Sequence, residues 1–115
     1  MRRLIKSFGY ALSGIAYTVK TQMNFKIHLV ATLLVGIAGW YLQLSGNEWL
    51  WILLAIGLVL VAELLNTAIE LLVDLVSPEF NVQAGKVKDV AAGAVIVAAF
   101  ISVIIAALIF IPKLI

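Results

Sequence analysis

Apolar and polar positions alternate in two different ways along this chain. Over residues 1–20, Leu4, Ile5, Phe8, Leu12, Ile15 and Val19 fall within about 100° of arc, with Lys6, Ser13, Tyr17 and Lys20 opposite. With Arg2 and Arg3 beside it, this stripe predicts an amphipathic helix lying on an anionic membrane surface. Its charges are spread along the segment, and no compact apolar run with a small-residue cleavage site follows, so a signal peptide is not expected here. Three continuous apolar stretches come next, over 27–44, 49–76 and 88–111, each long enough to cross a bilayer. Trp40, Tyr41, Trp49 and Trp51 flank a short polar turn as interfacial aromatics. Ser77-Pro78 stops the second span, 77–87 read as a polar loop, and Pro112 closes the third span.

Composition agrees with this pattern. Of 115 residues, 64% are hydrophobic and 12% charged, and the mean hydropathy is +1.16, which excludes a soluble globular protein. The expectation is an all-α membrane protein, a single domain over 1–115 with a surface helix and three transmembrane helices. Without cysteine there is no disulfide, thiolate zinc site or thiol catalysis. The single histidine excludes a His cluster, so any metal is held by oxygen, as Mg²⁺, Mn²⁺ or Ca²⁺ are.

Charge sets the orientation. Seven of the eight Lys and Arg residues (Arg2, Arg3, Lys6, Lys20, Lys26, Lys86 and Lys88) fall on the side of the N-terminus, leaving Lys113 across the membrane. The positive-inside rule then puts the N-terminus and the loop after the second span in the cytoplasm.

The second span carries the chemistry. Glu63, Asn66, Glu70 and Asp74 fall within about 80° of arc on one helix, in a stretch with no other charge from Trp49 to Val76. A carboxylate at mid-bilayer costs roughly 2.5–3.5 kcal/mol on insertion scales. About 28 residues make about 42 Å of helix against a hydrocarbon core of about 30 Å, so Glu70 and Asp74 are expected among headgroups, with Glu63 deeper. Lys88 and Asp89 follow at the same membrane face. Carboxylates there can hold Mg²⁺ through one or two oxygens plus substrate phosphates, and a lysine can offset phosphate charge. Spacing alone leaves three readings open: Mg²⁺-phosphate chemistry, a proton or ion pathway such as a small proton-coupled transporter, and interhelical hydrogen bonds without chemistry. No P-loop is present, since Gly85-Lys86 lacks the upstream glycine and the hydroxyl. In the third span Ala94, Ala98, Ser102 and Ala106 recur every four residues, a face for close helix packing. His28 reads as an interfacial residue capping the start of the first span.

The segment Glu63-Leu-Leu-Asn-Thr-Ala-Ile-Glu70, then Val73-Asp74, then Lys88-Asp-Val-Ala-Ala-Gly-Ala94, resembles the prokaryotic diacylglycerol kinase family. The Asn24-Phe-Lys-Ile-His28 run agrees, and the resemblance spans essentially the whole chain. Thr67 and the Asp-Val-Ala-Ala-Gly-Ala run are similar to the Gram-positive branch, whose members act as undecaprenol kinases.

That resemblance implies transfer of the ATP γ-phosphoryl group to a membrane lipid alcohol, undecaprenol first and diacylglycerol second. It implies a bacterial cytoplasmic membrane location, no nucleic-acid partner, and a homotrimer with sites shared between subunits. Glu63 matches the family's catalytic base and Glu70 a metal-binding glutamate. Asn66, Asp74, Lys88 and Asp89 match active-site and nucleotide-contacting positions, as do Arg3, Tyr10, Glu79, Phe80 and Asn81. One departure stands out: the family usually has a second metal-binding glutamate, often followed by a basic residue, where this chain has Gln22 and Met23. An amide oxygen can coordinate Mg²⁺ but brings no charge, so Gln22→Glu is expected to lower the Mg²⁺ concentration that half-saturates activity. A magnesium titration of both proteins checks this, and identical half-saturation would overturn it.

Overall fold

The computed structural model describes residues 1–115, and it is helical almost throughout, with no strand. Four helices follow in order: α1 (Arg2–Thr21), α2 (Met23–Tyr41), α3 (Gly46–Val76) and α4 (Val82–Leu114). The last three are long and apolar enough to cross a membrane. Only 11 of the 115 residues are buried within the chain, so its apolar exterior needs a cover other than water. This is a multi-pass membrane protein.

The helices run beyond the apolar stretches, for local reasons. Residues 82–87 are not loop: the Asn81 side-chain oxygen accepts from the backbone N–H groups of Gln83 at 2.8 Å and Ala84 at 3.3 Å, starting α4 there. The turn between α3 and α4 is therefore confined to Ser77–Asn81. Nor does Pro112 end α4, which continues to Leu114. A proline so near the end removes only one internal backbone bond. The start of α3 carries a full capping box: Ser45 Oγ accepts from the Glu48 N–H at 3.2 Å, and Glu48 Oε1 accepts from the Ser45 N–H at 2.9 Å.

At the end of α2, Leu42 to Leu44 turn back on the helix. The Leu44 N–H donates to the Gly39 carbonyl at 3.1 Å, and Gln43 adopts a left-handed conformation, φ 56°. Between α1 and α2 only Gln22 is non-helical. Its N–H donates to the Thr18 carbonyl at 2.9 Å, and its own carbonyl accepts from Lys26 at 3.2 Å, so one residue serves both helix ends. Of α1 only Thr18 is buried, which leaves its apolar stripe uncovered by the rest of the chain, as a membrane-surface helix requires.

Packing is dominated by the hairpin of α3 and α4, while α2 lies more lightly against α3 and α1 touches both α2 and α3. The buried positions of α3 are Ile52, Ala55, Val59, Glu63 and Thr67, a single stripe at helical spacing. From α4 the buried positions are Ala91 and Ala98. Ser102 Oγ reaches across to the Ala55 carbonyl at 2.8 Å, shared with the Ala98 carbonyl of its own helix at 2.8 Å. The small-residue face is thus used largely within the chain, and it is rotated from the one expected, because Ala94 is exposed whereas Ala91 is buried. Steps of four drift by about 40° each, whereas a step of seven nearly closes two turns.

Close approach also governs Gly39, which is buried under Trp49. A Cβ there would meet the Trp49 ring at 2.7 Å and Leu44 Cδ1 at 2.9 Å. Gly39→Ala is expected to destabilise the protein by about 1–3 kcal/mol through overpacking. Gly36→Ala, with nothing within 4 Å, should not destabilise it. Thermal unfolding in detergent would separate the two.

Candidate functional site

Glu63 lies on the packed stripe of α3, with its side chain only 3% exposed. Its neighbour Thr67, one turn on, donates from Oγ1 to the Glu63 carbonyl at 3.0 Å, so the hydroxyl is used on the backbone. The carboxylate itself faces α2. His28 Nε2 stands 3.3 Å from Glu63 Oε1, within ion-pair distance but outside hydrogen-bond geometry, and Oε1 is buried without a hydrogen-bond partner. Sequence reasoning missed this pairing. His28 caps nothing, since α2 starts at Met23 and its N-cap is Gln22. The available signal was a lone ionisable side chain inside an apolar span, which is a functional candidate by default. What the sequence does not carry is which helix it would face.

Toward the Ser77–Asn81 turn the stripe continues into progressively wetter surroundings. Asn66 Nδ2 donates to Glu70 Oε1 at 3.1 Å, and both residues are half-buried. Asn66 Oδ1 is buried with no partner. One turn further, Asp74 is exposed and accepts from Lys88 Nζ of α4 at 2.6 Å. Glu63 lies about 16 Å along the helix axis from Asp74 and about 10 Å from Glu70. The arrangement grades from a dry carboxylate to a hydrated ion pair at the end of the hairpin.

The remaining candidates are placed less closely. Gln22, at the joint of α1 and α2, is half-buried and its side chain makes no hydrogen bond. Asp89, beside Lys88, is exposed and forms no ion pair. Arg3 and Tyr10 are exposed on α1, and Glu79 and Phe80 are exposed in the turn. None of those four side chains touches the stripe by a hydrogen bond or ion pair. The Asn81 side-chain oxygen is occupied as the cap of α4.

The donors suit a metal shared with phosphate better than a closed protein cage. Nowhere do three acidic or imidazole side chains converge as a metal cluster. Mg²⁺ takes near-octahedral oxygen coordination and commonly uses one or two carboxylates, with substrate phosphates and waters completing the shell. Glu70, next to the orphaned Asn66 Oδ1, offers oxygen donors of that kind.

Comparison with known proteins supports a kinase. The chain is similar to the undecaprenol kinase of Bacillus subtilis (strain 168), 48% identical over 99% of this chain and 93% of that one. The diacylglycerol kinase of a Synechocystis species is 40% identical over 96% of this chain and 64% of its own length. The diacylglycerol kinase of Escherichia coli (strain K12) is 30% identical over 89% of this chain and 84% of that one. A family model described as prokaryotic diacylglycerol kinase matches residues 9–110. The apolar spans, the graded stripe of α3 and this match agree, and the chain belongs to the prokaryotic diacylglycerol kinase family.

Proposed function

We propose that this protein transfers the γ-phosphoryl group of ATP to the hydroxyl of undecaprenol, giving undecaprenyl phosphate at the inner face of a bacterial cytoplasmic membrane. The observation that carries the reading is the buried Glu63 carboxylate at one end of a polar stripe whose other end opens at the α3–α4 turn. Full-length similarity to an undecaprenol kinase supports the choice of alcohol. Diacylglycerol, the substrate named for other relatives, is the second reading. Family membership favours phosphoryl transfer over the proton-coupled transport that the stripe alone left open.

Phosphoryl transfer asks for alignment, charge neutralisation and a group that takes the alcohol proton. Glu63 supplies the last, being dry and on the membrane side of the stripe. The lipid alcohol reaches it laterally, with its chain still in the bilayer. Glu70 and Gln22 are the residues that would hold Mg²⁺ with ATP, Asn66 Oδ1 being a further oxygen donor nearby. The bound ion would neutralise charge on the transferring phosphoryl group. Lys88, poised on Asp74, offsets further phosphate charge. Asp89, Arg3, Tyr10, Glu79, Phe80 and Asn81 supply nucleotide contacts, some from a neighbouring subunit in a homotrimer with shared sites. The exposure of Arg3, Tyr10, Glu79 and Phe80 within one chain supports that assignment.

Purified protein incubated with labelled ATP, Mg²⁺ and separate lipid alcohols is expected to label undecaprenol in preference to diacylglycerol. The reverse preference would make phosphatidic acid the product, and no labelled lipid would refute the kinase reading. Glu63→Gln is expected to lower kcat by about 10²–10⁴-fold while nucleotide binding persists. Equal losses in binding and turnover would remove Glu63 as the base.

A further inference from the structure

A base sealed from water must lose its proton before it can act again. Glu63 poses this problem sharply, since its carboxylate is buried, Oε1 has no hydrogen-bond partner, and Thr67 is committed to the backbone. The imidazole of His28 is the one basic side chain within ion-pair distance of Glu63, and no other acidic group stands that close to His28. The two ends of this pair differ in cover and place: the His28 side chain is 26% exposed and that of Glu63 is 3% exposed, and His28 lies only about 8 Å along α2 from the start of that helix at Met23. His28 also lines a cavity of about 180 Å³ between α2, α3 and α4, together with Thr32, Ile52, Ala55, Val59 and Ser102.

We propose that His28 is the proton outlet of the site, carrying away the proton that Glu63 takes from the lipid alcohol. The inference rests on Glu63 being the base. In the forward reaction the alcohol O–H bond breaks and its proton joins a Glu63 carboxylate oxygen, while the alcohol oxygen bonds to phosphorus and ADP leaves. The ring then turns to aim Nε2 at the carboxyl group 3.3 Å away, the carboxyl O–H bond breaks and an N–H bond forms at Nε2 of the neutral imidazole, giving imidazolium. Loss of the Nδ1 proton to water, from the exposed part of the ring, restores neutral imidazole as the other tautomer. A further exchange with water, in which Nδ1 takes up a proton and Nε2 gives one up, restores the starting tautomer with no net proton gained or lost. One proton is released per phosphoryl group transferred, and nothing is oxidised or reduced. His28 touches neither substrate; it acts through Glu63, as a positioning and relay residue.

Such a role moves turnover rather than binding. His28→Ala is expected to lower kcat by about 10²-fold, with lipid KM and nucleotide binding unchanged. Added imidazole should restore its turnover saturably, because the truncated side chain leaves room that joins the existing cavity. His28→Gln, which keeps polarity and bulk but cannot carry a proton, should be equally slow and not rescued. Nucleotide binding by each variant reports that it has folded. Wild-type kcat in His28→Gln, or a His28→Ala loss that imidazole does not relieve, would overturn the outlet and leave Glu63 as base untouched. An active Glu63→Gln would instead refute the base reading, and the outlet with it.

Discussion

A carboxylate held out of water in the middle of an apolar helix constrains everything around it. Left alone, Glu63 would cost several kcal/mol, and the protein meets that cost with position rather than with a dense hydrogen-bond network. The residue continues the stripe of Ile52, Ala55 and Val59, so packing of α3 within the chain keeps it from lipid. His28, from a helix that otherwise lies lightly on α3, meets it there. An incompletely satisfied group of this kind is a poor choice for stability and a good one for chemistry, since its protonation state is free to change during a reaction.

The ends of the hairpin are treated differently. At the turn end, Asp74 and Lys88 form a short but hydrated pair, and at the far end Lys113 reaches Glu48 at 3.0 Å. Exposed pairs of this kind contribute too little to hold two long helices together. Their use is in register. Glu48 is held within its own helix by the capping box, so the last turn of α4 docks against a carboxylate that is also positioned locally.

Much of this was legible in the residues, and what was not has physical causes. Apolar length alone located the three crossing helices, and the spacing of Glu63, Asn66, Glu70 and Asp74 placed them on one side of α3. The start of α4 was harder. Gln83 and Lys86 look like loop by polarity, and only the Asn81 cap reveals that a helix has already begun. Azimuth also says nothing about depth. Glu63 and Asp74 share nearly the same direction around the axis, yet one is buried and the other exposed, because neighbouring helices cover the first and not the second. The His28–Glu63 pairing is a tertiary fact between residues on two different helices, and no local pattern encodes it.

Gln22 has a mechanical consequence. With one residue between a helix on the membrane surface and a helix crossing it, there is no slack to let out when bilayer thickness changes. Both helix ends draw their backbone bonds from that same residue, so unwinding it would cost α1 and α2 together. Adaptation must come as a tilt of α2 about this joint, and the imidazole two turns along swings with it. Any such tilt would carry His28, and with it the 3.3 Å approach to Glu63, along with the helix.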